Sequence, residues 1–236
     1  MGVSDDFGGD FGGGFDSSGD SGGGGGNNIN TSAVDQAIAD SISDLDYDVE
    51  ALSKNDLDTS DIENVKSFLH KKPQCDILVL NTGGPPAKSF FDITEEDFNK
   101  YYNQLFLSFC LMLQNVDIKD NGFIFLISSY NIKEPNADLV LSNSYRLAFT
   151  SVLKSVSKVL ASRSITCINI APGPIKTDRL YALNKDISSL EQRLPLKRAA
   201  EPDEIGTFVK SIVENNIKYL NGVTINFDGG HSNYVL

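Results

Sequence analysis

Apolar residues are spaced in two different ways along this chain, and the two kinds of spacing alternate from residue 31 onward. Continuous apolar runs, typical of strands covered on both faces, are CDILVLN, GFIFLISS and ITCINIAPG, and GVTINFDGG is predicted to form the last strand. Between them, apolar residues recur three and four positions apart, which predicts helices over 31–45, 59–72, 94–116, 142–161 and 201–214. Strands that alternate with helices predict an α/β fold with a doubly wound, mostly parallel sheet.

Three of these helices have an apolar face that we expect to pack on the sheet. Its members are Val34, Ala37, Ile38 and Ile42 in the first helix, Ile62, Val65, Phe68 and Leu69 in the second, and Ala148, Val152, Val156 and Leu160 in helix 142–161. Lys154 and Lys158 are expected on the outer face of that last helix. Thr31 or Ser32 is the predicted N-cap of the first helix. The segment DVEAL, residues 48–52, is predicted to form a further short strand.

Residues 1–30 differ from the rest because Gly, Asp, Ser and Asn dominate them. Such a composition buries too little apolar surface to offset chain entropy, so we expect a disordered acidic tail followed by one domain over 31–236. A phosphate cradle at glycines 22–26 is disfavoured because no apolar run precedes them. A partner-binding role for the tail stays open, although no motif supports it.

Charge is unevenly placed along the 236 residues, whose net charge is −12. Residues 1–61 contain fourteen acidic side chains and one lysine, and the remainder is close to neutral. A chain without a basic face argues against nucleic-acid binding. No apolar run reaches the roughly 18 residues of a membrane span. Because no secretory signal is visible either, we expect a cytoplasmic protein.

Cysteine and histidine are too few and too scattered to indicate a metal site. Cys75, Cys110 and Cys167 lie far apart in apolar stretches, which favours buried thiols in a reducing compartment. His70 and His231 are also distant from each other, so a zinc site or a histidine-based triad has little support.

Small or hydroxyl residues follow each predicted strand. NTGGPP follows the first, Ser128 and Ser129 end the second, APGPIKTDRL ends the third and DGG ends the last. In parallel sheets ligands bind beyond the carboxyl ends of the strands. These segments therefore predict one shared cleft.

In this order the segments resemble the short-chain dehydrogenase/reductase family, and within it the 3-oxoacyl-carrier-protein-reductase-like branch. DILVLNTGG is similar to the family's segment after its fourth strand, GFIFLISS to the strand carrying the catalytic serine, and APGPIKTDRL to the Pro-Gly-x-Ile-x-Thr segment. LPLKRAAEPDEIG and YLNGVTINFDGG resemble the C-terminal signature. The resemblance covers residues 73–236, and more loosely 31–72. It implies a Rossmann-type fold, an NAD or NADP cofactor, and hydride transfer to or from a carbonyl or alcohol substrate.

The resemblance also implies a catalytic group of asparagine, serine, tyrosine and lysine. Asn103 and Ser129 match the first two, whereas Ser142 stands at the tyrosine position and Arg146 at the lysine position. A serine hydroxyl is a far weaker acid than a tyrosine phenol, and arginine cannot relay protons as lysine can. Ser142 and Arg146 are four residues apart and should share one helix face.

The proton donor is therefore open at this point. Ser142, Tyr145, Tyr130 and water are the alternatives, and plain packing is the competing role for Tyr145. Arg146 retains a positive charge that suits ribose hydroxyls.

The residues that the resemblance implies for cofactor binding follow several strands. They are Lys54, Asp58, Asn81, Gly83, Pro172, Gly173, Ile175 and Thr177. Lys54 would suit a 2′-phosphate, so NADP is slightly preferred to NAD, although a solvated surface lysine is an equally good reading. Asp58 is expected near the adenine or as a helix cap, and the Pro172 segment near the nicotinamide.

The family's glycine-rich opening is not matched. Its three glycine positions fall on Ile29, Ala33 and Asp35, so the first strand is missing or atypical. A carboxylate near a pyrophosphate is electrostatically unfavourable. We therefore expect weakened cofactor binding.

Two functions follow from these observations. The first is an NAD(P)-dependent oxidoreductase acting on a small carbonyl or alcohol substrate with a non-standard catalytic group, with the loop 178–198 covering the substrate. The second is a catalytically inactive relative that serves as a binding or assembly module. In either case the resemblance implies a homodimer or homotetramer, formed through helices 94–116 and 142–161 and the last strand.

Overall fold

The computed structural model describes residues 32–235 and contains one sheet with helices on both faces. The strands are β1 Gln74–Leu80, β2 Asp117–Ile127, β3 Thr166–Pro172 and β4 Val223–Phe227. The helices are α1 Ala33–Ser43, α2 Ile62–Leu69, α3 Glu95–Tyr102, α4 Ser108–Asn115, α5 Val140–Leu160, α6 Asp178–Leu183, α7 Ile187–Arg193 and α8 Pro202–Glu214. The predicted tail, residues 1–30, lies outside the described residues.

All strand pairs in the sheet are parallel, and the spatial order is β1-β2-β3-β4. Each strand returns to the same direction through a helical connection, as parallel pairing requires. The carboxyl ends of the four strands therefore lie along the same side of the sheet, where the strands end. These findings confirm the predicted doubly wound α/β fold.

The buried strand β2 separates two apolar layers because alternate side chains point to opposite faces. Phe123, Phe125 and Ile127 face α1 and α8, whereas Ile124 and Leu126 face α2, α4 and α5. Gly206 lets α1 and α8 approach closely, since a Cβ at that position would lie 2.3 Å from the carbonyl oxygen of Ala37. Strands covered on both faces are continuous apolar runs for this reason.

The predicted helices are confirmed, with Ser32 as the N-cap of α1 and Asp61 as that of α2. The inner face of α5 differs from the prediction. Ala148 is exposed, and the buried apolar residues of that helix are Leu141, Phe149 and Leu153. Val152 and Leu160 are half-buried against the same core, and Val156 is also half-buried. The polar residues Ser142, Asn143, Arg146 and Ser157 share the inner face, which explains why apolar spacing misplaced it.

The strand predicted at residues 48–52 is absent. This segment is irregular, and no strand occurs anywhere between residues 32 and 73. A strand needs a neighbour to bond with, and within residues 32–235 β1 pairs with β2 on one side alone. Thus β1 lies at the edge of the described sheet.

Two predicted segments have more structure than expected. Helix 94–116 has a π-helical turn over Asn103–Leu107, between α3 and α4. Loop 178–198 contains two short helices, α6 and α7, capped by Thr177 and Asp186.

Neither metal-binding nor membrane-spanning features occur among residues 32–235. No helix there combines the length and apolar character needed to cross a bilayer. In the same range, His, Cys, Asp and Glu side chains form no group of three or more that could hold a metal ion. The three cysteines are unpaired, and burial raises the pKa of the Cys167 thiol to about 12.

Candidate active site

The carboxyl ends of the strands are joined by short backbone contacts. The Ser128 N–H donates to the carbonyl of Ile170, and the Gly173 N–H donates to the carbonyl of Phe227. The segments after β2, β3 and β4 are therefore neighbours.

Arg146 links the helix α5 to two of these strand ends. Its Nη2 donates to the carbonyl of Thr82 after β1 at 2.8 Å, and its Nη1 donates to the carbonyl of Ile127 in β2 at 3.0 Å. Its Nε donates to Ser142 Oγ at 3.3 Å. The one guanidinium thus fixes the positions of α5, β1 and β2 relative to one another.

Arg146 is almost completely buried and carries its charge into the site. The side chain is 8% exposed. Burial, and secondly the charge of Arg179, lower the pKa of the guanidinium to about 10. It therefore remains protonated at neutral pH.

Ser142 lies one turn before Arg146 on the same buried face, as the sequence predicts. A Cβ placed on Gly84 would lie 3.6 Å from Ser142 Oγ and 3.2 Å from Arg179 Nη2. The Arg179 Nη2 also donates to the carbonyl of Pro85. Ser142, Arg179 and Gly84 therefore pack closely together.

Ser129 and Tyr130 follow the end of β2. Ser129 Oγ accepts from the N–H of Asn131 at 3.2 Å, which caps a short turn. The ring of Tyr130 packs edge-on against that of His231. Burial, together with the charges of Glu134 and Asp228, raises the pKa of the Tyr130 phenol above its ordinary value.

Tyr145 is directed towards α3. Its hydroxyl donates to the carbonyl of Phe98 at 3.2 Å, and its ring packs edge-on against Tyr102. Burial, followed by the influence of Tyr102, raises the pKa of the phenol. These contacts correspond to the packing alternative rather than to a proton donor with a lowered pKa.

Asn103 is the first residue of the π-helical turn, and the side chain beside it contacts the cleft. Gln104 Nε2 donates to the carbonyl of Gly83 at 2.7 Å and to Thr82 Oγ1 at 3.3 Å. Sequence reasoning missed Gln104. Its position next to Asn103, immediately before the apolar stretch that starts at Leu105, was the signal for it.

Asn81 and Asp35 meet where the family resemblance places the cofactor's phosphates. Asn81 Nδ2 donates to Asp35 Oδ1 at 3.0 Å, and Ser32 Oγ donates to Asp35 Oδ2 at 2.6 Å. Desolvation raises the pKa of the Asp35 carboxyl, although both hydrogen bonds oppose this rise. A carboxylate therefore occupies the first turn of α1, and this position does not fit a pyrophosphate.

Lys54 and Asp58 form an ion pair at 3.5 Å near the loop after β1. Thr59 Oγ1 lies 3.0 Å from Thr82 Oγ1, which brings the segment before α2 against that loop. Burial raises the pKa of Asp58, but hydrogen bonds from Ser60 and the charge of Lys54 outweigh it, so the pKa is lowered. Lys54 is largely exposed and already has an anionic partner.

The segment after β3, which we expected near the nicotinamide, packs closely against the segment after β4. A Cβ at Gly173 would lie 2.9 Å from Asp228, so only glycine fits there. Buried Ile175 pairs with Ala200, and Thr177 Oγ1 caps α6 by accepting from the N–H of Leu180. Pro172 is the last residue of β3. These residues form an ordered wall at one end of the cleft.

Comparison with known proteins gives one family match and several relatives. Residues 27–232 match the family model described as enoyl-(acyl carrier protein) reductase. The chain is 30% identical to nodulation protein G of Azospirillum brasilense over 182 residues, which cover 73% of this chain and 74% of that protein. It is 29% identical to 3-oxoacyl-[acyl-carrier-protein] reductase of Rickettsia felis over 177 residues, which cover 71% and 72% of the two chains.

Solved structures show the same fold at lower identity. A short-chain dehydrogenase family protein from Francisella tularensis superposes with a TM-score of 0.76 at 20% identity, covering 86% of this chain and 95% of that one. The angucycline C-6 ketoreductase LanV, solved with bound NADP, has a TM-score of 0.67 at 22% identity, with coverages of 73% and 72%.

Proposed function

Since this chain belongs to the short-chain dehydrogenase/reductase family, in its 3-oxoacyl-carrier-protein-reductase-like branch, we propose that it is an NAD(P)-dependent reductase. It would interconvert a carbonyl and an alcohol on a small molecule with a non-standard catalytic group. Curated relatives named as reductases, and a similar structure solved with NADP, support this proposal.

The observation that carries the proposal is the placement of Arg146. A permanent positive charge lies at the carboxyl ends of β1 and β2, where it contacts Ser142 and both backbones. In this role Arg146 would hold the ribose hydroxyls of the cofactor through its charged N–H donors. The hydroxyls of Ser129 and Ser142 would orient the carbonyl, and the proton would come from Ser142 or from water.

The residues fit the cofactor at one end only. Gly83 supports this fit, because nothing lies within 4 Å of the position its Cβ would take, which leaves its backbone open to the nicotinamide ribose. Gly173 instead packs against Asp228, so its segment would form the neighbouring wall. When bound there, the cofactor would supply or accept the hydride. Asp35 does not fit the phosphates, so we infer weak binding.

The alternative is an inactive relative that acts as a binding or assembly module. The specific observation in its favour is the same Asp35, whose carboxylate is held by Asn81, a residue we expected along the ribose. No strand occurs in residues 32–73, so the described sheet also lacks strands beyond β1.

Cofactor titration separates the two functions. We expect saturable binding of NADPH and of NADH by the full-length protein, followed by nicotinamide fluorescence and by the melting temperature. The preference for NADP is expected to be slight because Asp58 already pairs with Lys54. If neither dinucleotide changes the signal at millimolar concentration, the reductase function is rejected and the binding or assembly module is the function that remains.

A matched pair of variants tests the placement of Arg146. Arg146→Ala should weaken cofactor binding about tenfold or more, because a charged hydrogen-bond donor is lost from a buried site. Lys154→Ala removes the same charge from the exposed face of α5 and should have no effect. Equal effects of the two variants on the dissociation constant would contradict this assignment.

We further propose a homodimer or homotetramer working in the cytoplasm. Exposed apolar side chains on α5, namely Leu147 and Val159, support the assembly. The unpaired state of all three cysteines supports a reducing compartment.

A further inference from the structure

A groove opens at the end of the molecule opposite the candidate active site. It lies between the carboxyl-terminal ends of α2 and α4, beside the first residues of β1 and β2, and its volume is about 670 Å³. Sites that hold a small molecule or a few side chains have volumes of roughly 300–1,000 Å³. Because the groove lies where the parallel strands begin and the candidate active site where they end, the two are separate. We call it the α2–α4 groove.

The α2–α4 groove combines apolar surface with positive charge. Its apolar and basic lining residues are Leu69, Leu111, Lys66, His70 and Lys72. Lys66 pairs with Glu63 at 2.6 Å. Within residues 32–235, Lys72 forms no ion pair with a carboxylate. The ammonium of Lys72 can therefore receive an anion from outside the described chain.

The one carboxylate in the lining, that of Asp117, already has partners. Its Oδ2 accepts from Gln74 Nε2 at 3.1 Å, and its Oδ1 lies 3.6 Å from Arg163 Nη2. Its negative charge is thus partly offset before any occupant arrives. The groove suits an occupant that carries an apolar side chain next to a negative charge.

This chain contains such a segment, in residues 1–31. The segment has five aspartates and neither lysine nor arginine. Its only aromatic residues are Phe7, Phe11 and Phe15, and each directly adjoins an aspartate, in the pairs DF, DF and FD. A phenylalanine ring can pack on leucine side chains and accept a lysine ammonium on its face, while the neighbouring carboxylate faces a second positive charge.

The length of the segment matches the distance to the groove. Residues 1–31 lead into Ser32, whose Oγ lies 3.3 Å from Asn81 Nδ2, directly after the end of β1. Gln74, at the start of the same strand, lines the groove. A strand of this length spans about 20–25 Å. Phe15 precedes Ser32 by 17 positions, and a glycine-rich chain of that length has an end-to-end distance of about 20–25 Å.

We propose that the Phe-Asp pairs of residues 1–31 dock in the α2–α4 groove of their own chain. The ring packs on Leu69 and Leu111, and the adjoining aspartate pairs with Lys72. Because the segment is tethered, its effective concentration at the groove is about millimolar, so weak contacts suffice. The three pairs are alternative occupants of one groove. The docking does not depend on the proposed reductase function.

Photo-crosslinking of the full-length protein tests the docking. The photoreactive analogue p-benzoylphenylalanine replaces Phe11, a dilute sample is irradiated, and mass spectrometry identifies the crosslinked peptides. We expect crosslinks within one chain, to peptides that contain residues 66–74 or 111–117. Crosslinks mainly to other regions, or none, would overturn the proposal. Crosslinks that join two chains would also overturn it, because the groove would then hold the segment of a second copy.

A matched pair of variants assigns the docking to the charge of the groove. Lys72→Gln should lower the crosslinking yield about two- to fivefold, as expected for the loss of one exposed ion pair. Lys185→Gln removes the same charge at an exposed position between α6 and α7, which follow the carboxyl end of β3, and should leave the yield unchanged. Equal yields from the two variants would contradict the role of Lys72.

Histidine side chains give a second measurement that needs no photoreactive group. The chain has two histidines, His70 in the groove and His231 after β4. Replacing the three phenylalanines of residues 1–31 by serine should shift the imidazole NMR signals of His70 and leave those of His231 unchanged. Phe91→Ser changes a phenylalanine that is 92% exposed and does not line the groove, so the His70 signals should stay in place. Unshifted His70 signals in the triple variant would overturn the proposal.

Discussion

Serine and arginine stand at the two positions where the family resemblance places tyrosine and lysine, and the fold holds both on the buried face of α5. Helix periodicity was enough to predict that Ser142 and Arg146 share this face, because the two are one turn apart. The contacts of Gln104 and Arg179 were not predictable. Both reach across to the loop after β1 from separate elements, and sequence spacing does not encode such distances.

The carboxyl group of Asp35 gives a prediction, at the scale of single residues, about how cofactor affinity depends on pH. Burial raises its pKa, so falling pH neutralises the carboxyl earlier than it would in water. A bound pyrophosphate favours the neutral form further, so we expect NADH affinity to rise as the pH falls towards the raised pKa of this carboxyl. In Asp35→Asn, affinity at pH 8 should be about tenfold higher, as expected for removing one nearby like charge, and should change little with pH.

The matched control is Asp40→Asn, which removes the same charge from an exposed position of α1. Dissociation constants from nicotinamide fluorescence across the pH range measure the effect. NADH is used because it has no 2′-phosphate to titrate. A pH dependence that persists in Asp35→Asn would show that another group is responsible.

The four strands were predictable from runs rich in apolar residues, and all four exist at the expected places. The inner face of α5 was misplaced because polar site residues occupy part of it, so Phe149 rather than Ala148 faces the core. The prediction of a strand at residues 48–52 was wrong, because a suitable local sequence does not by itself provide a neighbouring strand to pair with.

The contact between α1 and α8 gives a prediction at the scale of elements. In Gly206→Ala the new methyl would lie 2.3 Å from the carbonyl oxygen of Ala37, so the two helices must separate. We expect a loss of about 1–3 kcal/mol in the free energy of unfolding, even though alanine is the better helix former by about 1 kcal/mol. Urea denaturation followed by circular dichroism measures it.

The control for this prediction is Thr207→Ala, at the adjacent exposed position of α8. It should be neutral or slightly stabilising. Similar destabilisation by both substitutions would contradict the role assigned to Gly206.

At the scale of the whole molecule, the half that carries the proposed chemistry is more regular than the half expected to hold the adenine. Strands β1 to β4 and their helices form the half that carries the proposed chemistry. In the half expected to hold the adenine, residues 44–61 between α1 and α2 contain neither helix nor strand. Composition indicated that the first quarter of the chain differs from the rest. Composition did not indicate that α1 would nevertheless pack against α8.

Assembly gives the prediction at this scale. Leu147 is 50% exposed on α5, within one of the two helices proposed to form the interface. Leu147→Glu should reduce the molar mass seen by size-exclusion chromatography with light scattering, because a charge would be buried between subunits. Tyr181→Glu changes a similarly exposed side chain on α6 and should leave the mass unchanged. A monomeric wild-type protein would contradict the proposed assembly.

The position of β1 at the edge of the described sheet affects how the protein behaves when concentrated. Within residues 32–235, one side of this strand presents backbone groups without a neighbouring strand, and its sequence QCDILVL is mostly apolar. Such an edge is a template onto which other extended chains can stack, the first step towards fibrils. Asp76, the one charged residue in the strand, is held by Lys119 at 2.8 Å and opposes that stacking. Its carboxylate therefore favours solubility at this edge of the described sheet.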